Sequence, residues 1–362
     1  MVVAAPETPI SELSFYSARP TILVDGQSYP LVSELLQSMS MTEYEGGLSA
    51  LEMRYINVAS DTQGEAAFAY EDDAILKFGA AILGYSGDES APQEIFRGKI
   101  TGLEAEFQTE TGVPELVVLA EDAFQQGRME RRTQIYNNIS IAQLGQTLAS
   151  RLGLEPRITG FTEDIGTQVQ LNESDLAFLR RLLAQYDGDI QVVGQELHLS
   201  PRADVKRGEV VLELHSQLRN VHILADLAHQ VTEITVSGWN PNSGQRTQGR
   251  SVGAGLGSGS GQTGAQILPK ILQQRSHHIG HLAVSTDTEA QALADAAFDE
   301  RARRFLCLEG TAEGNPALRV GTWVQIQGMG ERFDNTYYVV QACHRFDLTQ
   351  GQGYETDFLA EC

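Results

Sequence analysis

The closing stretch of this chain leaves it little choice but a sheet. From Leu308 it reads L-E-G-T-A-E-G-N-P-A-L-R-V-G-T-W-V-Q-I-Q-G-M-G-E-R-F-D-N-T-Y-Y-V-V-Q-A-C-H-R-F-D, and it closes on G-Y-E-T-D-F, Gly353 to Phe358. Val320, Trp323, Val324 and Ile326, then Tyr337 to Val340, are strand formers, because β-branched and aromatic side chains fit a pleated, half-buried surface. Gly328, Gly330, Asp334 and Asn335 fall between them and tolerate the positive φ of tight turns. The pattern predicts a meander of antiparallel strands forming a barrel wall. It contains no nucleophile–base pair and no phosphate loop.

The rest of the composition fits that reading. The 362 residues, 41% hydrophobic, suffice for two or three domains, since a single core stops growing near roughly 250–300 residues. Thirty-five glycines and 11 prolines suit turn-rich β structure. The formal charge is −22, from 48 acidic and 26 basic residues. Phosphate recognition needs a basic face, and the longest basic cluster, Arg128 to Arg132, is interrupted by Met129 and Glu130. Nucleic-acid binding is therefore not expected; the plainer reading of the charge is solubility, and the sharper one an acidic lumen or docking face. Three cysteines, Cys307, Cys343 and Cys362, do not make a disulfide framework and point to a reducing compartment. Cys307 and Cys343 could meet across neighbouring strands, but two buried thiols are the simpler reading. The N-terminus lacks the basic and apolar regions of a signal peptide. No apolar run approaches the roughly 20 residues that span a bilayer, so membrane insertion is not expected.

Along the chain the pattern changes twice. Residues 1–18 read as a polar, extended arm, and 19–128 as a first β-barrel domain. In it, T-I-L-V-D-G-Q-S-Y-P predicts a hairpin turning at Asp25-Gly26. Leu48 to Val58 alternates through Leu48, Ala50, Met53 and Tyr55. Ile75 to Leu83 holds a strand, Glu94 to Phe107 alternates through Ile95, Arg97, Lys99 and Thr101, and Pro114 to Ala120 completes the wall. Residues 129–208 read as a helical insertion. Ser140 and Gln143 form a capping box for a helix striped by Ile141, Leu144 and Leu148 and ended by Gly153. Asn172 or Ser174 caps a second helix, with Leu176, Leu179 and Leu183 on one face and Gly188 at its end. A short hairpin turns at Gly194. Residues 209–362 form a second β-barrel domain. It contains a Gly-rich flexible loop, 249–264, which cannot bury a core, and one helix, 286–305, capped by a Thr286–Glu289 box and burying Ala290, Leu293, Ala294, Ala297 and Phe298.

Each chemical candidate has a plainer reading. His277, His278 and His281 give H-H-x-x-H, a metal spacing on a helix, but the run lacks the following Glu and reads as extended. The Gly tract has no Gly-Lys-Ser/Thr and no strand-to-helix setting for phosphate, and no nucleophile elbow is present. Asp72-Asp73, Glu121-Asp122 and Asp299-Glu300 are paired carboxylates, expected in so acidic a chain. Arg301, Arg303 and Arg304 suit the C-terminal end of a helix dipole. Trp323, Phe333, Tyr337 and Tyr338 divide between core and interface. No catalytic, cofactor or metal residue is assigned, and no enzyme activity is expected.

Three stretches together carry a resemblance over nearly the whole chain. They are N-E-S-D-L-A-F-L-R-R-L-L-A-Q-Y-D (Asn172 to Asp187), S-T-D-T-E-A-Q-A-L-A-D-A-A-F-D-E-R-A (Ser285 to Ala302) and the closing meander. The chain resembles the phage late control D family of contractile-tail baseplate hub proteins, and is similar to the N-terminal hub part of type VI secretion spike proteins. The resemblance implies an α+β, mainly β fold: two related tail-hub β-barrel domains with a helical insertion. It also implies a homotrimeric ring adapting a hexameric inner tube protein to a trimeric spike, with other baseplate proteins as partners. No family residue is catalytic. Larger relatives run on into a spike, which the residues after the meander do not supply, so a separate spike protein is expected. Such a hub would assemble in the bacterial cytoplasm, in the baseplate of a phage tail-like particle, and exposed barrel edges could pair with a neighbouring subunit or the tube. A tail-associated cell-wall hydrolase and a carbohydrate-binding β module are the competing readings.

Overall fold

The computed structural model describes residues 19–60, 66–70, 72–86, 92–107, 112–253, 261–349 and 353–362. The expected arm, 1–18, and the middle of the Gly-rich tract lie outside the described residues.

The protein is mainly β, and its largest element is one 13-stranded sheet. The path runs Leu218–Ala225, Leu306–Glu313, Gly353–Glu361, Thr336–Asp347, Leu36–Tyr44, Ala50–Ile56, Glu115–Glu121, Gln93–Glu106, Ala81–Ser86, Thr21–Val24 and Gln27–Ser28. Off this path, Gly208–Glu213 pairs in parallel with Thr322–Gln327, which pairs antiparallel with Thr336–Asp347. The expected meander is present, and its strands 336–347 and 353–361 pair from Tyr338↔Glu361 to Asp347↔Gly353. The two β regions share this sheet: Thr336–Asp347 pairs antiparallel with Leu36–Tyr44, Cys343 opposite Thr42 and Arg345 opposite Ser40. Two cores lie against it. One gathers Ile22, Met39, Met41, Leu51, Met53, Tyr55, Ile82 and Ile100, and recruits Phe346 and Tyr354 from the closing meander. The other gathers Leu308, Leu318, Val324, Ile326, Tyr337, Val339 and Phe358.

The Asp25-Gly26 hairpin forms with φ of 50° and 77° at its two turn residues, the left-handed pair that matches strand twist. Other local expectations need correction. In Ala50–Ile56 the buried set is Leu51, Met53 and Tyr55, and Ala50 faces out. In Gln93–Glu106 the buried residues are Ile95, Phe96 and Ile100, because a bulge at Ile95, opposite Gly84 and Tyr85, breaks the alternation. The strand expected from Ile75 starts at Ala81.

The insertion has its own core, formed by helices Ile141–Leu152 and Asp175–Leu183 with strands Gly188–Val193 and Glu196–Pro201. The Ser140 capping box and the Gly153 left-handed cap are both present, at φ 68° for Gly153. Ser174, not Asn172, caps the second helix. Gly188 opens the following strand rather than ending that helix.

A fourth core lies under strands Glu233–Asn240, Gln245–Ser251 and Ser276–Ile279 and helix Asp287–Ala302. Thr286 caps this helix, but Glu289 reaches back to the N–H of Ser285, one residue before the cap, at 2.9 Å. The Gly-rich tract is not one loop. Gly249 lies in a strand, and Gly264 opens a helix, Gly264–Ile271, capped by Thr263 with Gln266. A Cβ on Gly249 would sit 2.1 Å from the Ala290 carbonyl oxygen, so this glycine lets the strand and the helix Asp287–Ala302 approach closely. Gly253 meets nothing within 4 Å. Overpacking of this kind costs about 1–3 kcal/mol. Gly249→Ala should lower stability by at least that much in denaturant unfolding, while Gly253→Ala should change it little.

Candidate functional site

The sheet's second face is the first candidate. Along each strand side chains alternate between faces, and the registers fix which residues share one. Opposite the cores, one row carries Thr311, Asp357, Cys343, Thr42, Ala50, Glu121 and Lys99. The next row carries Glu313, Glu355, Arg345, Ser40, Glu52 and Leu119. This face is mostly polar across eight consecutive strands, from Leu218–Ala225 to Gln93–Glu106, with Leu119, Leu224 and Leu359 as exposed apolar exceptions, and its charges are mostly acidic, with Glu309, Glu104 and Glu106 exposed. Arg345 is pinned by Asp357 at 2.5 Å and Glu355 at 3.3 Å. Arg54 pairs with Glu52 at 2.9 Å. The Thr42 hydroxyl donates to the Cys343 sulfur at 3.4 Å. Cys307 and Cys343 do not face each other, because strand Gly353–Glu361 lies between theirs; both are half-buried rather than buried, and none of the three cysteines is in a disulfide.

The second candidate is a buried charge junction where the two β regions and the insertion meet. Glu43, 1% exposed, accepts from Arg319 Nε at 2.8 Å, from the second guanidinium nitrogen at 2.6 Å and from the Val320 N–H at 2.6 Å. Burial pushes this carboxyl up, but Arg319 overrides it and holds the pKa below the usual range. Beside it His344, fully buried, shares a 2.7 Å hydrogen bond between Nδ1 and the Tyr354 hydroxyl. Burial, then the Arg319 charge, pushes its pKa down to about 3.

A second group links the insertion, the sheet and the long helix. Arg202 pairs with Glu45 at 3.1 Å and Glu361 at 3.2 Å, and lies 4.2 Å from the Tyr338 ring centre. Arg303 pairs with Asp187 at 2.7 Å and Glu361 at 3.3 Å. Arg207 pairs with Asp189. A cleft of about 380 Å³ opens beside this group, between Arg180, Arg181, Ala296 and Glu300.

The sequence reading missed both groups. Their members lie far apart in the chain, so no spacing signals them. Arg303, read there as a helix-dipole partner, binds Asp187 and Glu361; Arg304 keeps an i,i+4 pair with Glu300 at 2.9 Å. Of the histidines of H-H-x-x-H, His277 and His278 sit on strand Ser276–Ile279, where neighbours point to opposite faces, and His281 lies in the bend after it. There His278 bonds Thr235 at 2.9 Å and Ser237 at 3.1 Å. Among the described residues no group of three or more His, Cys, Asp or Glu is placed to hold a metal. The paired carboxylates serve local structure. Asp122 accepts from the N–H groups of Ser49 and Phe124 at 2.8 and 2.9 Å, and burial raises its pKa to about 6. Glu121 binds Arg128 and Glu300 binds Arg304. Asp72 accepts from the Ala74 N–H at 3.0 Å. Tyr337 and Tyr338 are buried, while Trp323 is half-buried and donates to the Val205 carbonyl at 3.0 Å.

Removing one partner of a buried ion pair costs about 3–5 kcal/mol, because the other charge is left unpaired. Arg319→Met alone should destabilise by about that much in urea unfolding, and adding Glu43→Gln should recover most of the loss. His344 adds a pH signature. Its unfolded pKa is near 6.5 and its folded value about 3. Between them the unfolded chain binds the proton and the folded chain does not, so stability falls as pH drops from 6.5 toward 3. His344→Gln should shift the acid-unfolding midpoint to lower pH.

Comparison with known proteins places this architecture. The sequence model of the Alg8 N-terminal domain matches residues 18–347. No curated protein matches by sequence. The chain is similar to the 43 kDa tail protein of prophage MuSo2 from Shewanella oneidensis, with 13% identity, a TM-score of 0.68 and coverage of 94% of this chain and 97% of that one. It is similar to the tail protein from Neisseria meningitidis MC58, with 10% identity, a TM-score of 0.67 and coverage of 96% and 97%. It is also similar to the E. coli c3393 protein, described as a component of the type VI secretion system with structural similarity to T4 bacteriophage tail proteins gp27 and gp5. There identity is 13%, the TM-score 0.60 and coverage 94% and 76%. At these identities the likeness is one of fold, the tail-hub fold that the closing meander and its two helices led us to expect. With more than nine-tenths of its length matched by one sequence model, the chain belongs to the Alg8 N-terminal domain family.

Proposed function

We propose that this protein is a structural hub in the baseplate of a contractile injection system or phage tail. Three copies form a ring that adapts a hexameric inner tube to a trimeric spike, assembled in the bacterial cytoplasm, with other baseplate proteins around it and no catalytic role of its own. The observation that carries this reading is the unbroken eight-stranded stretch of sheet with cores on one face and an acidic, polar surface on the other. Such a surface suits the wall of a water-filled passage. The likeness to tail proteins along 94% of the chain supports the same reading.

The sheet's ends support a closed assembly. Among the described residues, Leu218–Ala225 pairs with Leu306–Glu313 and, beyond a single bridge from Leu218 to Leu214, with no other strand, and Thr101–Glu106 pairs only with Glu115–Glu121. Unpaired strand edges recruit other chains, and joining two different edges head to tail builds a ring. Three copies of eight strands, spaced about 4.8 Å and tilted about 40°, would enclose a wall roughly 45–50 Å across.

Native mass measurement of the purified chain, alone and co-expressed with a candidate spike protein, tests this. The expected result is three times the 39.5 kDa chain mass, with threefold rings in negative-stain averages. A monomer in both preparations would overturn the ring.

A further inference from the structure

One region of the molecule has the opposite charge character from the rest. From Ile234 to Thr286 there is no Asp or Glu, while Arg246, Arg250, Lys270 and Arg275 contribute four positive charges. The remaining residues therefore carry −26, since 22 basic and 48 acidic residues are left. The sequence reading looked for a run of basic residues and so passed over a run without acids.

The fold places two of these charges, Arg246 and Arg250, on the three-stranded sheet of Glu233–Asn240, Gln245–Ser251 and Ser276–Ile279, while Lys270 lies on helix Gly264–Ile271 and Arg275, just before the third strand, donates to the Ala228 and Gln230 carbonyls. The inner face, with Ile234, Val236, Thr247 and Gly249, packs against helix Asp287–Ala302. Among the described residues the outer face is exposed at Trp239, Arg246, Gln248 and Arg250. Trp239, 60% exposed, stands directly opposite exposed Arg246, with Gln248 and Arg250 beside them. Arg250 is held by Glu233 at 2.7 Å, whereas Arg246 has no ion-pair partner among the described residues. Tryptophan and arginine together are the residues that dominate interface energies when they become buried. An exposed pair of this kind, on a flat sheet face, has the composition of an interface centre rather than of ordinary surface.

The charge balance identifies the occupant. Copies that each carry −22 repel one another, and a ring needs a contact where unlike charges meet. We propose that the outer face of this sheet, centred on Trp239 and Arg246, docks on the acidic surface of a second copy of the chain. The contact is heterologous, a basic island of one copy on the acidic body of the next. It therefore repeats head to tail and adds an electrostatic clasp to the edge pairing above. This inference rests on the ring reading. A polyanion is disfavoured as occupant, because the rest of the surface would repel it over its length.

The test uses the full chain in the assembly state found for the wild type. Arg246→Glu and Trp239→Ala should each weaken association by about tenfold or more, and raised salt should weaken the wild type more than Arg246→Glu. Both side chains are exposed in the single chain, so melts of the dissociated chain at low concentration should stay unchanged, while the assembled state should melt lower in the variants. As a direct probe, Arg246→Lys prepared from mixed ¹⁴N and ¹⁵N copies and treated with a carbodiimide should give mixed-isotope cross-links from position 246 to Asp or Glu. A wild-type trimer whose affinity is unmoved by both substitutions, or cross-links confined to one copy, would overturn this contact and leave the ring standing. A wild type that never trimerises removes both.

Discussion

Everything else in this structure depends on one pairing: strand Thr336–Asp347 lies against strand Leu36–Tyr44, nearly three hundred residues earlier in the chain. Without it there are two unrelated β regions. With it there is one wall, with a core behind each half and a single polar face. The Glu43–Arg319 ion pair sits beside this seam and fixes its register chemically. A one-residue slip would carry the carboxylate to the polar face, leaving Arg319 buried and unpaired.

The second charge group extends that logic to the insertion and the long helix. Arg202, Arg207 and Arg303 bring together Glu45, Asp187, Asp189 and Glu361, from segments that otherwise pack on separate cores. Apolar contacts would join such cores in many orientations at similar energy. Directional, charge-assisted hydrogen bonds between planar guanidiniums and carboxylates accept few. The charge junction therefore favours a single orientation of the lobes.

Acidic residues play two distinct parts here. Those at the junction, such as Glu43 and Asp189, are buried and matched by arginine. Those on the polar face, such as Glu309, Glu104 and Glu106, stay in water and set the surface charge. The acid-free segment between Ile234 and Thr286 is the exception that gives the surface two signs.

The sequence by itself determined the local elements. Strand formers alternating with turn glycines wrote the closing meander, the Ser140–Gln143 box and Gly153 bounded a helix, and Asp25-Gly26 set a hairpin, because these signals act within a few residues. It was also enough for the tail-hub likeness, which is carried by ordered stretches of chain. It misplaced the faces of Ala50–Ile56 and Gln93–Glu106, where a bulge or a single-residue offset reverses inside and outside. It read Gly249 as loop, although the glycine serves a contact with Ala290 that only the folded chain creates. The tertiary structure alone decided that the two β regions form one sheet, that Arg303 meets Asp187 and Glu361, and that Trp239 stands opposite Arg246 on an open face. Those facts depend on which distant segments become neighbours, and local propensity carries no information about that.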